Sequence, residues 1–120
     1  MSIVLVCGGR HYKNKTFLFR VMDIIHKQTP ITKIVSGAAR GADSLAVEWA
    51  IENNIEYVEY PADWEGHGKA AGHIRNQQMV DSENPDIVVA FTGGRGTQNM
   101  IATAMKHGVV TVIDMGGKEV

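Results

Sequence analysis

Residues 36–43, with the sequence SGAARGAD, combine the features of a turn that binds an anion. They follow a short β-branched run and lead into a helical pattern, so they lie where a strand ends and a helix begins. Two glycines let the backbone come close to a ligand, while the unpaired N–H groups of the first helical turn and the Arg40 guanidinium supply donors. The same residues also describe an ordinary helix start, with Asp43 beside the positive end of the helix dipole. This turn alone leaves a phosphate site and a plain capped helix both open.

Two further turns repeat the combination of glycine and arginine. Residues 8–10, GGR, follow the apolar run 3–7, and residues 92–97, TGGRGT, follow the apolar run 87–91. Glycines at the carboxyl end of a strand again allow the backbone to approach a ligand closely. If all three turns share one edge of a sheet, they can hold a single phosphate-bearing ligand together.

The hydropathy pattern predicts strands that alternate with helices along the whole chain. Strands are predicted at 3–7, 31–35, 55–60, 87–91 and 109–114, and helices at 14–28, 42 to 53 or 54, 69–82 and between 97 and 108. Parallel strands need covering crossovers, so this alternation predicts an α/β fold: a three-layer Rossmann-like domain with a five-stranded parallel sheet in the order 3-2-1-4-5. That order places the carboxyl ends of strands one, two and four side by side. The spacing in the last helix predicts a buried face made by Met100, Ile101, Ala104 and Met105.

Size and charge limit the possible partners. The chain of 120 residues is predicted to form one domain, 1–120, and its net charge of −1 offers no general excess of positive charge to a nucleic acid. It has no apolar run of membrane-spanning length and no signal-peptide pattern, and its single cysteine, Cys7, fits a reducing compartment. A cytoplasmic protein without membrane contact is therefore expected. The five histidines match no metal-binding spacing, so no metal site is predicted.

The segment between the third strand and the third helix carries an unusual set of polar residues. Residues 62–69 are predicted to form an irregular loop, and such loops hold function more often than packing. Trp64 in this loop either stacks on a base or ring of a ligand or covers the edge of the domain or an oligomer contact. Arg75 and Asn76, early in the following helix, are expected to face the phosphate and ribose end of a ligand. Residues 115–120 are predicted to be a short, loose tail.

The three turns, together with residues 64–79, resemble the YspA/YpsA-related branch of the SLOG superfamily. This superfamily also contains the DNA-processing protein DprA and the LOG phosphoribohydrolases, to which the branch is distantly similar. The resemblance implies a Rossmann-like domain that binds a nucleotide or a nucleotide-derived ligand, as a sensor or a processing enzyme in phage and bacterial conflict systems. It also implies a homo-oligomer.

One motif departs from the pattern of the LOG enzymes. Those enzymes carry Pro-Gly-Gly-x-Gly-Thr-x-x-Glu, and the glutamate takes part in cleaving the N-glycosidic bond. Here Thr92 stands in place of the proline and Met100 in place of the glutamate. Methionine cannot transfer a proton, so an enzyme of this type would need another carboxylate. The acidic residues nearest to the predicted edge are the catalytic candidates: Asp43, Asp63 and Glu65.

The sequence therefore predicts binding of a nucleotide or nucleotide-derived phosphate ligand, with no required cofactor and a small-molecule nucleotide as the partner. A hydrolase acting on nucleotide derivatives is the second interpretation. Single-stranded DNA binding like that of DprA is the third, and the near-neutral charge disfavours it. The predicted ligand-binding residues lie in the three turns, the loop and the third helix: Gly8, Gly9, Arg10, Ser36, Gly37, Ala38, Arg40, Gly41, Asp63, Trp64, Arg75, Asn76, Gly93, Gly94, Gly96 and Thr97.

Overall fold

The computed structural model describes residues 1–113, which contain one five-stranded parallel sheet. Its strands are β1 (Ser2–Cys7), β2 (Ile31–Ser36), β3 (Glu56–Glu59), β4 (Ile87–Ala90) and β5 (Val110–Ile113). They follow the spatial order β3-β2-β1-β4-β5, and every neighbouring pair is parallel. The predicted fold class and strand order are thereby confirmed. Residue 114 of the predicted fifth strand and the predicted tail, 115–120, lie outside the described residues.

Residues 1–113 also form five helices and one 3₁₀ turn, and four of the helices cover the two faces of the sheet. The helices are α1 (Lys15–Gln28), α2 (Ala42–Glu52), α3 (Trp64–His67), α4 (Ala71–Glu83) and α5 (Arg95–Lys106), and the 3₁₀ turn is Gly68–Ala70. Helices α1 and α2 pack on one face through Leu18, Met22 and Trp49, while α4 and α5 pack on the other through Met79 and Met100.

Strand β1 lies at the centre of the sheet because its side chains are apolar on both faces. Val4 and Val6 are buried against the α1 and α2 layer, and Leu5 and Cys7 are buried against the α4 and α5 layer. A continuous apolar run is the pattern that a doubly covered parallel strand requires. The turn after β1 is therefore held between the turns of its two neighbours, β2 and β4.

Two local predictions differ from the structure. The predicted irregular loop at 62–69 contains α3, because the Asp63 side chain accepts a hydrogen bond from the N–H of Gly66 at 2.9 Å and starts a helical turn. The predicted buried position of Met105 is wrong, since its side chain is 64% exposed. At 100° per residue, Met105 points about 140° away from the buried Met100 and so leaves the core face of α5.

Among residues 1–113, no helix combines the length and the apolar character needed to cross a membrane.

Candidate functional site

The carboxyl ends of β1, β2 and β4 open into a cavity of about 1160 Å³. All three glycine turns line it, with residues 8–10 after β1, 37–40 after β2 and 92–97 after β4. The opposite wall comes from α3 and from the first half of α4. The turns thus share one edge of the sheet, as the strand order predicts.

The turn after β1 is hydrogen-bonded to both neighbouring turns. The N–H of Gly9 donates to the carbonyl of Thr92 at 2.8 Å, and the carbonyl of Gly9 accepts from the N–H of Ala42 at 3.3 Å. Gly41 has a φ of +78°, and a Cβ at this position would overlap the Gly9 carbonyl oxygen. Only glycine therefore allows the β2 turn to lie this close to the β1 turn.

An arginine from α4 ties the β2 turn to the opposite wall. Nη1 of Arg75 donates to the carbonyl of Gly37 and, at 3.4 Å, to the carbonyl of Tyr60, and Nε donates to Oδ1 of Asn76 at 3.0 Å. Two backbone carbonyls, one in the β2 turn and one just after β3, thus hold the guanidinium in position. Its charge remains at the edge of the cavity, which Arg75 lines.

Asn76 connects the same assembly to the β4 turn. Its Nδ2 donates to the carbonyl of Gly96 at 3.2 Å and to Oδ1 of Asn99 at 2.9 Å. The side chain is buried, and its oxygen accepts from Arg75. Two adjacent residues of α4 therefore fix the positions of two separate turns.

Asp43 lies at the floor of the cavity with its carboxylate beneath the β2 turn. The residue is 5% exposed, and Oδ2 accepts from the N–H of Ala39 at 3.2 Å. Burial raises the pKa of Asp43 to about 6, although the N–H donors and the charge of Arg75 act in the opposite direction. Burial lowers the pKa of Arg75, and the Asp43 charge opposes that change.

Cys7 lies beside this pair and lines the same cavity floor. Burial, together with the negative charge of Asp43, raises the pKa of the Cys7 thiol to about 12. The thiol therefore stays protonated at neutral pH and is a poor nucleophile or metal ligand. Within residues 1–113, no group of three His, Cys, Asp or Glu side chains is placed to hold a metal ion.

The cavity wall is strongly cationic. Asp43 is the one acidic residue that lines it within residues 1–113, whereas six of the twelve Lys and Arg residues of the chain do so: Arg10, Lys13, Arg40, Lys69, Arg75 and Arg95. No sequence pattern pointed to Lys13, which lies three residues beyond the β1 turn. Arg95 lies within the TGGRGT turn itself, so a charge count over that turn would have found it.

Residues 2–67, more than half of the chain, match the sequence model of the YspA, cpYpsA-related SLOG family. The chain belongs to this family. It is also 37% identical, over 126 residues, to the Gene 61 protein of Mycobacterium phage D29, in an alignment that covers 98% of this chain and 99% of that protein. The matched family segment contains the β1 and β2 turns and ends just beyond Trp64, so the SLOG resemblance predicted from these motifs is confirmed.

Most of the ligand-binding and catalytic residues predicted from the sequence line the cavity, and four of them do not. Ser36 is fully buried, where its hydroxyl donates to the carbonyl of Asp43 and accepts from the N–H of Ala38. Gly41 lies behind the cavity wall, packed against the β1 turn. Asp63 caps α3, and Glu65 is an exposed residue of that helix. Of the three predicted catalytic carboxylates, the structure thus brings only Asp43 to the cavity.

Replacing Gly41 by alanine is expected to destabilise the fold by more than about 2 kcal/mol, because the positive φ and the overlap with the Gly9 carbonyl act together. Gly96→Ala is the control. A Cβ at Gly96 would meet no described atom within 4 Å, and alanine in a helix is more favourable than glycine by about 0.5–1 kcal/mol. Urea unfolding followed by circular dichroism measures both, and equal effects of the two variants would contradict the close packing of the turns.

Asp43 is expected to make the protein less stable as the pH rises from about 4 to about 6. Its ordinary pKa is 3.8 and its folded value about 6, so the folded chain holds the proton more tightly than the unfolded chain over that window. The stabilisation is complete below pH 3.8 and is lost as the pH rises through 6, by about 3 kcal/mol. The measurement is the free energy of unfolding of the wild type relative to Asp43→Asn at each pH. A difference in unfolding free energy between the two proteins that stays constant with pH would contradict the prediction. Glu65→Gln, which removes an exposed carboxylate, is the control.

Proposed function

We propose that the cavity binds a nucleotide or a nucleotide-derived phosphate ligand. The observation that carries the proposal is the separation of charge: half of the chain's Lys and Arg residues line the cavity, although the net charge of the chain is −1. A concave wall of one sign focuses the electrostatic potential and raises the local concentration of an anion. A phosphate ester is the ligand chemistry that such a wall and its backbone donors recognise.

The glycines of the β4 turn support the same ligand class. A Cβ built at Gly94 or Gly96 would meet no described atom within 4 Å, so internal packing does not require glycine at either position. Open space lies where a Cβ of either glycine would be, at the start of α5, and the N-cap residue Gly94 has no side chain to cap that helix end. The N–H groups of the first turn are consequently available to phosphate oxygens.

Arg40→Ala is expected to weaken the binding of adenosine 5′-monophosphate about tenfold, since it removes a charge-assisted hydrogen bond. Arg20→Ala removes another exposed arginine, from α1, which does not line the cavity, and is expected to leave the affinity unchanged. Isothermal titration calorimetry at two salt concentrations measures both variants. Equal effects of the two substitutions, or no effect of Arg40→Ala, would count against a phosphate site at the β2 turn.

A hydrolase acting on nucleotide derivatives is the second candidate, and the position of Asp43 favours it. This carboxyl lines the cavity and has a pKa of about 6, in the range that suits proton transfer near neutral pH. Met100, at the position of the LOG-type glutamate, is fully buried in the core of the α4 and α5 layer. A proton donor for cleavage of an N-glycosidic bond would therefore be Asp43.

Incubation with a panel of nucleoside monophosphates, followed by chromatography for the free base, tests this candidate. Turnover is expected to be lost in Asp43→Asn and retained in Glu65→Gln, because the Glu65 side chain is exposed and does not line the cavity. The absence of free base across the panel would exclude the hydrolase and leave the binding function.

A further inference from the structure

The indole of Trp64 is presented to the cavity by a small but well-anchored element. Its side chain is 50% exposed and lines the cavity. Helix α3 is capped by the Asp63 side chain at the N–H of Gly66, and the carbonyl of Asp63 accepts from the N–H of His67 at 2.9 Å. On the α4 side, Cη2 of the indole lies 3.5 Å from where a Cβ on Gly72 would be. The ring edge thus lies close to the backbone of α4, at van der Waals distance from the position of that Cβ.

One face of the ring is occupied by a side chain from the β1 turn. The Cζ atom of Arg10 lies 5.5 Å from the centroid of the Trp64 ring, within the range of a cation–π contact. Such a contact is weak where both groups are exposed to water, and both are exposed in this case. A planar ligand group that removes more of the indole from water can therefore displace the guanidinium.

We propose that the base of a bound nucleotide stacks on Trp64 in place of the Arg10 guanidinium, and that the released Arg10 turns to the ligand phosphate. This inference rests on the proposed function and makes it more specific. The site then selects nucleotides over other phosphate esters, because a sugar phosphate has no aromatic face to stack. Every base has such a face, so stacking is possible whichever base the nucleotide carries, and its strength can differ from base to base.

The position of Arg10 makes the exchange possible. It follows Gly9, whose N–H is bonded to the carbonyl of Thr92 in the β4 turn, so its backbone is fixed next to the proposed phosphate donors. Its side chain is exposed and spans the cavity from the β1 turn to α3. When the base takes the ring, the guanidinium is left on the phosphate side of the cavity with an unpaired charge. Base stacking and phosphate binding are in this way coupled through one side chain.

The test compares each of four ribonucleoside 5′-monophosphates, AMP, GMP, CMP and UMP, with ribose 5-phosphate, which keeps the sugar and the phosphate but lacks the base. Calorimetry is expected to show that at least one nucleotide binds the wild type about tenfold or more tightly than ribose 5-phosphate. The ratio of the nucleotide affinity to the ribose 5-phosphate affinity should fall close to one in Trp64→Leu. Trp64→Phe, which keeps an aromatic ring, should retain most of the wild-type ratio. In Arg10→Ala the ratio should rise above that of the wild type, because the competitor for the ring is gone, while ribose 5-phosphate itself should bind more weakly.

The outcomes separate this inference from the function on which it rests. If neither the nucleotides nor ribose 5-phosphate bind the wild type, the proposed function fails. If ribose 5-phosphate binds as well as every nucleotide, or if the ratio survives Trp64→Leu, phosphate binding stands and stacking on Trp64 is overturned. A ratio that is unchanged or lower in Arg10→Ala overturns the exchange. Thermal unfolding of each variant shows that it is folded, and Trp64 fluorescence provides a second readout because Trp49 is fully buried.

Discussion

The candidate site depends on the backbone of one residue, Gly9. Its N–H and carbonyl bond to the turns on either side, so the three turns hold one another at fixed distances before any ligand arrives. That contact needs a second glycine, at position 41, because any side chain there would collide with the Gly9 carbonyl. The central strand β1 supplies the rigid support, since it is buried on both faces. A site built in this way has little reorganisation to undergo on binding.

The side chains of Arg75 and Asp43 also fix the position of the β2 turn, from beneath the protein surface. Charged groups are costly to bury, and this pair is retained with its hydrogen bonds directed at backbone atoms of the β2 turn. Asn76 makes the matching link to the β4 turn. The segment that matches the family, residues 2–67, contains the β2 turn that Asp43 and Arg75 hold. Six of the twelve Lys and Arg residues line the cavity at this edge of the sheet, although the net charge of the chain is −1.

The sequence carries enough information to predict the sheet and the location of the site. The apolar runs alternate with helical segments, as in a Rossmann-like sheet, and the strand order of such a sheet brings the glycine turns to one edge. The sequence does not show which residues of a turn line the cavity: Ser36 and Gly41 lie in the predicted turn but behind the cavity wall. It also does not reveal α3, because a single turn started by Asp63 has no apolar period to detect. Lys13 joins the wall through tertiary packing, which no local pattern encodes.

The burial of Cys7 has a practical consequence. The chain contains a single thiol, and it is protonated, shielded from water and located where the central strand meets the cavity floor. An alkylating reagent is expected to react with it slowly in the closed structure, where the thiol is 8% exposed and protonated, and faster when that floor opens. The Cys7 thiol of the wild-type protein is therefore a reporter of local opening. The rate at which it is alkylated measures how often the cavity floor beneath the three turns opens.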